Sequence, residues 1–221
     1  MEISGDTVRS TVIRVPFLKR FFDIVASGIV IVLLFPIIIV LFLLSLLERC
    51  FSRTARGPFL YRETRVSQGK PFTLYKLQAF RTPALQKANG NGHSVIHTKK
   101  LEHDFRNLTL VGMVLVQTYM DEYPQLFSVL FGHMSFVGPR PVNTEIYERY
   151  VANGNRAKAI LRAGLTGHFQ THKSRKYGLL QEDVDMEYVN LCQTGSPLGI
   201  LQHDMRILFY TVYTVIRSEG L

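Results

Sequence analysis

The run Ile24-Val-Ala-Ser-Gly-Ile-Val-Ile-Val-Leu-Leu-Phe-Pro36-Ile-Ile-Ile-Val-Leu-Phe-Leu-Leu-Ser-Leu-Leu47 holds 24 residues without a charge. As a straight helix it extends about 36 Å, enough to cross a hydrocarbon core of about 30 Å. Pro36 stands at its midpoint, where a helix-interior proline removes a backbone hydrogen bond and costs roughly 3 kcal/mol. Basic residues flank both ends, Lys19 and Arg20 before the run and Arg49, Arg53 and Arg56 after it. The positive-inside tendency then places both ends on the cytoplasmic side. Read from residues alone, a kinked single span and a hairpin that enters and leaves by one face both remain open. The run is too long for a cleaved signal peptide, and no small-residue cleavage site stands out.

Working outward, 221 residues leave room for one globular domain beside this membrane element. A net charge of +9 and a pI near 9.7 call for an anionic partner. Nucleic acid, anionic lipid and phosphorylated substrates all qualify, and the apolar run favours the last two. Each basic residue near an anionic leaflet contributes about 1 kcal/mol. No nucleic-acid motif is present, and the basic residues form no evident helix face. Cys50 and Cys192 have no close spacing, and the seven histidines show no zinc-ligand pattern.

Between Gly57 and Tyr75 the pattern predicts two short strands around a Ser67-Gln68-Gly69-Lys70 turn. Residues 82–107 are polar, with Asn89-Gly90-Asn91-Gly92 in the middle, and read as a mobile loop. A helix is expected from Thr118, as its N-cap, to Gly132, and another from Thr144 to about Leu161. In the tail, Met205, Leu208, Phe209, Val212, Tyr213 and Ile216 recur at helical spacing. That stripe can pack on the core, the commoner outcome, or lie in a membrane interface.

Candidate chemistry centres on Asp121 and Glu122. Helix capping explains acids in a first turn. The functional alternative makes one carboxylate a nucleophile or metal ligand while its neighbour assists, since a carboxylate can attack phosphorus and divide a transfer into two steps. Downstream, Gly138-Pro139-Arg140-Pro141 fixes one arginine between two prolines, which lowers the entropy lost in gripping a diphosphate. Arg62, Arg65, Lys70, Lys76 and Arg81 cluster in the strand region. Arg162-Ala-Gly-Leu-Thr-Gly-His-Phe-Gln170 reads as a glycine-punctuated loop able to hold phosphate. Neither a Walker-type loop nor a dinucleotide fingerprint occurs.

In order along the chain, several blocks resemble the bacterial sugar transferase family, the monotopic phosphoglycosyl transferases. They are Lys19-Arg-Phe-Phe-Asp23, the apolar hairpin, Gly57-Pro58, Tyr61, Arg65, Gly69-Lys-Pro-Phe72 and Tyr75-Lys76. Met120-Asp-Glu-Tyr-Pro-Gln-Leu126, Gly132-His-Met-Ser-Phe-Val-Gly-Pro-Arg-Pro141, Gly164-Leu-Thr-Gly167 with Gln170, Asp185, Tyr188-Val189 and His203-Asp-Met-Arg-Ile-Leu208 follow. The resemblance implies a mainly helical α/β fold: a lead-in over 1–18, a re-entrant membrane helix-break-helix over 19–52 turning at Pro36, and a compact catalytic domain over 53–221 with short strands and interfacial helices. That domain is expected on the cytoplasmic face of the bacterial inner membrane.

It further implies transfer of a sugar-1-phosphate from a UDP-sugar to polyprenol (undecaprenyl) phosphate, with UMP released through a phosphosugar-aspartate intermediate. Such a step opens the assembly of exopolysaccharide, capsule or lipopolysaccharide. Carried over by position, Asp121 is the nucleophile, Glu122 assists, and Mg²⁺ binds at Asp121. Arg140, Lys76, Arg65 and Gln170 hold phosphate or substrate. UDP-sugar, polyprenol phosphate and the inner leaflet are the expected partners, nucleic acid is not, and the oligomeric state, homo-oligomer included, is left open. The chain departs from the family pattern at Gln78 and Val116, where basic residues are usual, and has Ala163 within Arg-Pro-Gly. A catalytically silent, membrane-anchored scaffold for glycan assembly is the alternative these losses raise.

Overall fold

The computed structural model of the chain describes residues 12–89, 101, 104–167, 169 and 181–216. Its first element is α1, Phe17–Phe51, a 35-residue helix with Pro36 inside it. Among the described residues it is the one helix long and apolar enough to cross a membrane. A break at Pro36 was expected, but the helical pattern continues through it. Proline withholds one N–H from the Val32 carbonyl, and the flanking turns keep their own bonds, so a kink need not end a helix. Most of the apolar side chains from Ile29 to Leu47 are solvent-exposed, including Val32, Leu33, Phe35 and Leu43.

Strands β1 (Leu60–Ser67) and β2 (Lys70–Leu77) form a two-stranded hairpin. As the sequence predicts, the turn is tight, with Gln68 and Gly69 at φ +50° and +70°. Two left-handed residues in a two-residue loop match the twist of the strands they join. The elements that follow are α2 (Thr82–Asn89), α3 (Leu110–Gln117), a 3₁₀ turn (Met120–Glu122) and α4 (Gln125–Leu130). Then come β3 (Ser135–Val137), α5 (Thr144–Ala152), α6 (Ala157–Ile160), β4 (Gly164–Thr166), α7 (Gln181–Thr194) and α8 (Pro197–Ile216). The mix is mainly helical with two small sheets.

Contacts divide the chain into two units. The first comprises Met1–Gly28, Glu63–Leu74 and Phe127–Leu221, and the second Ile29–Arg62 and Tyr75–Leu126. The first unit is built on β3 and β4, which pair in parallel with Ser135 opposite Gly164 and Val137 opposite Thr166. A Cβ on Gly138 would fall 2.3 Å from the Arg162 carbonyl oxygen, and one on Gly164 2.2 Å from the Gly138 nitrogen. Only glycine lets these two backbones approach so closely. Gly164–Thr166, within the stretch expected as a loop, therefore form a strand. Helix α8 packs on both strands.

Buried ions order this unit. Lys19 bonds to Asp204 and donates to the Val137 carbonyl at 3.0 Å, and the Tyr188 hydroxyl donates to Asp204 at 2.7 Å. Asp23 accepts from Ser135 Oγ at 2.8 Å and from the Phe136 amide at 3.2 Å. Lys158 pairs with Asp185 at 2.8 Å. Lys19, read from sequence as a flanking membrane cation, is thus a core residue, only 5 % exposed.

Three further expectations are corrected here. Thr144 to Leu161 is not one helix: α5 stops at Ala152, Gly154 takes φ +83°, and α6 starts at Ala157. The tail helix forms, but it buries Ile200, Asp204, Ile207 and Thr214, while Met205, Phe209, Val212 and Tyr213 stay exposed. The apolar stripe faces outward because the inward face spends its polar groups on partners, such as Asp204 on Lys19 and Thr211 on Thr166 at 2.8 Å. In the second unit, Thr82–Asn89 is helical where a loop was expected. Pro83 takes the first-turn position in which a missing N–H costs nothing. The Asn-Gly stretch beyond it lies outside the described residues.

Within the second unit, Ala79, Phe80 and Leu108 form a buried cluster joined by Leu85, Leu101, Met113 and Val116. Val116 is therefore a packing residue. Thr109 caps α3 by accepting from the Gly112 amide at 2.8 Å. The Glu48 carboxylate, near the end of α1, accepts from the Leu110 and Val111 amides at 2.7 and 3.1 Å. An anion at these free amides satisfies donors and complements the helix dipole.

Candidate active site

Helix α3 ends at Thr118, whose hydroxyl donates back to the Val114 carbonyl at 2.7 Å. Thr118 is thus a C-cap, not the N-cap of a following helix. Tyr119 then takes a left-handed conformation, φ +57°. Non-glycine residues seldom adopt it, and such strain gathers at functional sites. The flip delivers the 3₁₀ turn Met120–Glu122, with Asp121 buried and Glu122 half-buried.

Lys76 on β2 reaches both acids: its ammonium lies 3.3 Å from Asp121 Oδ2 and 3.1 Å from Glu122 Oε1. Side-chain exposures of 12 %, 10 % and 20 % keep the three groups partly open to an incoming substrate. Two adjacent carboxylates repel, and a shared cation offsets that repulsion. One residue on, Tyr123 donates its hydroxyl to the Ile31 carbonyl of α1 at 3.1 Å. Ile31 adjoins Val32, the residue whose carbonyl Pro36 leaves without a helical N–H. The acid turn is therefore fastened to the middle of the apolar helix.

Other sequence-predicted site residues lie elsewhere in the chain's organisation. Arg65 belongs to the first unit, where Glu63 holds its guanidinium at 2.7 Å. Arg140, also in that unit, is half-buried, and its carbonyl accepts from Lys158 at 3.4 Å. Gln170 falls outside the described residues. Gln78 donates to the Phe80 carbonyl at 3.2 Å, and its buried Oε1 has no partner among the described residues. It borders an apolar cavity of about 230 Å³ lined by Phe35, Ile39, Phe42, Phe59 and Leu115. Tyr119 and Tyr123 are the site residues that sequence reasoning missed. Nothing in a tyrosine announces a left-handed φ or a long-range hydroxyl bond.

The cluster's donors fit Mg²⁺. That ion takes oxygen ligands, often one or two carboxylates, and completes its shell with water and substrate phosphate. Among the described residues no group of three or more metal-ligating side chains occurs. An all-protein cage is therefore not what these residues offer; Asp121 and Glu122 supply two carboxylates.

A model of the family described as bacterial sugar transferase matches residues 14–218. The chain belongs to the bacterial sugar transferase family. It is 32 % identical over 200 residues to the UDP-glucose:undecaprenyl-phosphate glucose-1-phosphate transferase of Klebsiella pneumoniae, covering 88 % of this chain and 39 % of that protein. Against the undecaprenyl-phosphate galactose phosphotransferase of Salmonella typhimurium the identity is 32 % over 218 residues, 92 % of this chain and 41 % of that protein. The chain thus spans about two-fifths of the length of these relatives. Against the exopolysaccharide production protein PSS of Rhizobium leguminosarum it is 33 % identical over 216 residues, covering 92 % of this chain and 98 % of that protein.

Proposed function

We propose that this family member transfers a sugar-1-phosphate from a UDP-sugar to polyprenol phosphate at a membrane surface. The observation that carries the reading is the Lys76 ammonium held against two adjacent carboxylates on a turn tied to the apolar helix. Asp121 attacks the β-phosphorus of the UDP-sugar, the bond from that phosphorus to the bridging oxygen breaks, and UMP leaves with the electron pair. The acyl-phosphate so formed is then attacked by a phosphate oxygen of the polyprenol phosphate, which takes the phosphosugar and frees the Asp121 carboxylate. Splitting the transfer lets each step use a strong nucleophile.

Lys76 pairs with Asp121 before substrate arrives, then with the phosphate charge that enters. Glu122 orients Lys76 and shares in seating Mg²⁺ with Asp121. Bound there, the ion supplies charge neutralisation for the diphosphate. Arg140, Arg65 and Gln170 are assigned to substrate phosphate by family position. The outward apolar side of α8 fits contact with a bilayer interface. For α1, a re-entrant course in the inner leaflet, with the rest on the cytoplasmic side, fits Arg14 and Arg20 before the apolar stretch and Arg49, Arg53 and Arg56 after it. The silent-scaffold reading gains little, since Val116 packs in a core and Gln78 donates to the Phe80 carbonyl.

Release of UMP, measured across a panel of UDP-sugars with polyprenol phosphate and Mg²⁺, tests the activity and finds the sugar. One donor should stand out for wild type and no donor should work for Asp121→Asn. Turnover undiminished in that variant contradicts the mechanism, and UDP-sugar binding without UMP release in wild type favours the scaffold.

A further inference from the structure

A second concentration of positive charge lies within the first unit, among residues with no part in the acid-pair cluster. A cavity of about 440 Å³ is lined by Arg14, Arg20 and Arg162, together with Gln68, Phe131 and Gly132. Arg20 is fixed by two bonds of 2.6 Å to the carbonyls of Val129 and Leu130, at the end of α4. Its guanidinium and that of Arg162 converge over Gly132: a Cβ built there would lie 3.3 Å from Arg20 Nη2 and 3.6 Å from Arg162 Nη1. Glycine, at φ +86°, leaves that volume open.

Among the described residues none of the three arginines forms an ion pair with a carboxylate. The buried Nε of Arg162 has no hydrogen-bond partner among the described residues. Asp23 acts on Arg162 at a distance, but its oxygens are engaged by Ser135 and Phe136. Burial first, and then the neighbouring Arg20, disfavour the Arg162 cation. Holding cations together in part-buried surroundings is costly unless an anion arrives, and guanidiniums match tetrahedral oxyanions in a bidentate manner. At the edge stand apolar groups: Phe131 is 71 % exposed, and Val12 and Val15 line the same cavity.

We propose that this cavity binds a phosphate group, and that the phosphate is the headgroup of an anionic phospholipid. Arg162 and Arg14 grip the phosphate oxygens, Arg20 forms the fixed wall, and Phe131 with the two valines meets the first carbons of the acyl chains. The site is independent of whether Asp121 is ever esterified.

Native mass spectrometry of the full chain, released from a neutral detergent, tests this with four probes: dioleoyl phosphatidylglycerol, dioleoyl phosphatidylcholine, dioleoylglycerol and inorganic phosphate. Wild type should retain one phosphatidylglycerol, resist its displacement by millimolar inorganic phosphate, and retain far less of the other two lipids. Arg162→Gln and Arg14→Ala should each lower that retention about tenfold, with Arg162→Lys recovering part of it, as expected for loss of one charge-assisted contact. Arg14 is exposed, so its substitution carries the test even where Arg162→Gln perturbs folding. Equal retention in wild type and both variants overturns the site. Ready displacement by inorganic phosphate, with phosphate itself retained, overturns the lipid assignment in favour of a free phosphate.

Discussion

Lys19 and Lys76 are both secluded ammoniums facing aspartate, yet their surroundings differ. Lys19 sits in a sealed cluster in which Asp204, Tyr188 and the Val137 carbonyl complete its bonds, with side-chain exposures of 6 % and 2 % for the ion pair. Lys76 divides one charge between Asp121 and Glu122 at 3.3 and 3.1 Å, on a turn reached through a left-handed tyrosine. The first arrangement holds elements together: the start of α1, β3, α7 and α8. The second leaves charge available at a partly open surface. A buried ion pair is weak evidence for stability by itself, but breaking one partner of a saturated pair is costly.

The comparison breaks most visibly at Lys19. Lys19→Ala leaves the Asp204 carboxylate buried without its cation and should cost about 3–5 kcal/mol. Thermal or denaturant unfolding in detergent would register that loss, whereas Asp121→Asn should leave the unfolding midpoint nearly unchanged. Equal destabilisation by the two substitutions would erase the distinction.

Cys192 reports whether the Lys19 cluster is sealed. Burial pushes its thiol from 9.0 up to about 11, with Asp204 adding to the rise and Lys19 opposing it. Because the folded state favours the neutral thiol, this stabilisation is present below pH 9 and is lost as pH rises through 11. At pH 8 the thiolate fraction is about a hundredfold below that of an unshifted thiol. Alkylation by iodoacetamide should therefore be about that much slower at Cys192 than in the unfolded chain, and should quicken as pH is raised.

The smallest effect belongs to the tether. Tyr123→Phe removes one hydroxyl-to-carbonyl bond and should cost about 0.5–1.5 kcal/mol of stability. Its larger signature is a fall in kcat with KM little changed, since the bond positions the acid turn and touches no substrate. UMP release across a substrate titration separates the two.

Much of this was legible in the residues. Gln68-Gly69 announced a tight hairpin, and the uncharged run announced an exposed apolar helix. Asp121 and Glu122 stood out, and β2 brought Lys76 to them. The tail was readable as a helix but not by face, because a 3.6-residue period is the same for a stripe that meets a core and one that meets lipid. Asp204 and Thr211 on the inward face showed which it was only once their partners were in view. Thr82-Pro83 was a helix start that polar composition masked. The left-handed turn at Tyr119 had no sequence signal, since glycine or asparagine is the usual marker.

The most direct trial of the central claim is the mass of the Asp121 peptide after brief exposure of purified protein to its UDP-sugar and Mg²⁺, with polyprenol phosphate withheld. A peptide heavier by one sugar phosphate, absent in Asp121→Asn and cleared when polyprenol phosphate is added, is the expected result. UMP formed at full rate with that peptide unmodified, or an adduct on another side chain, would contradict it.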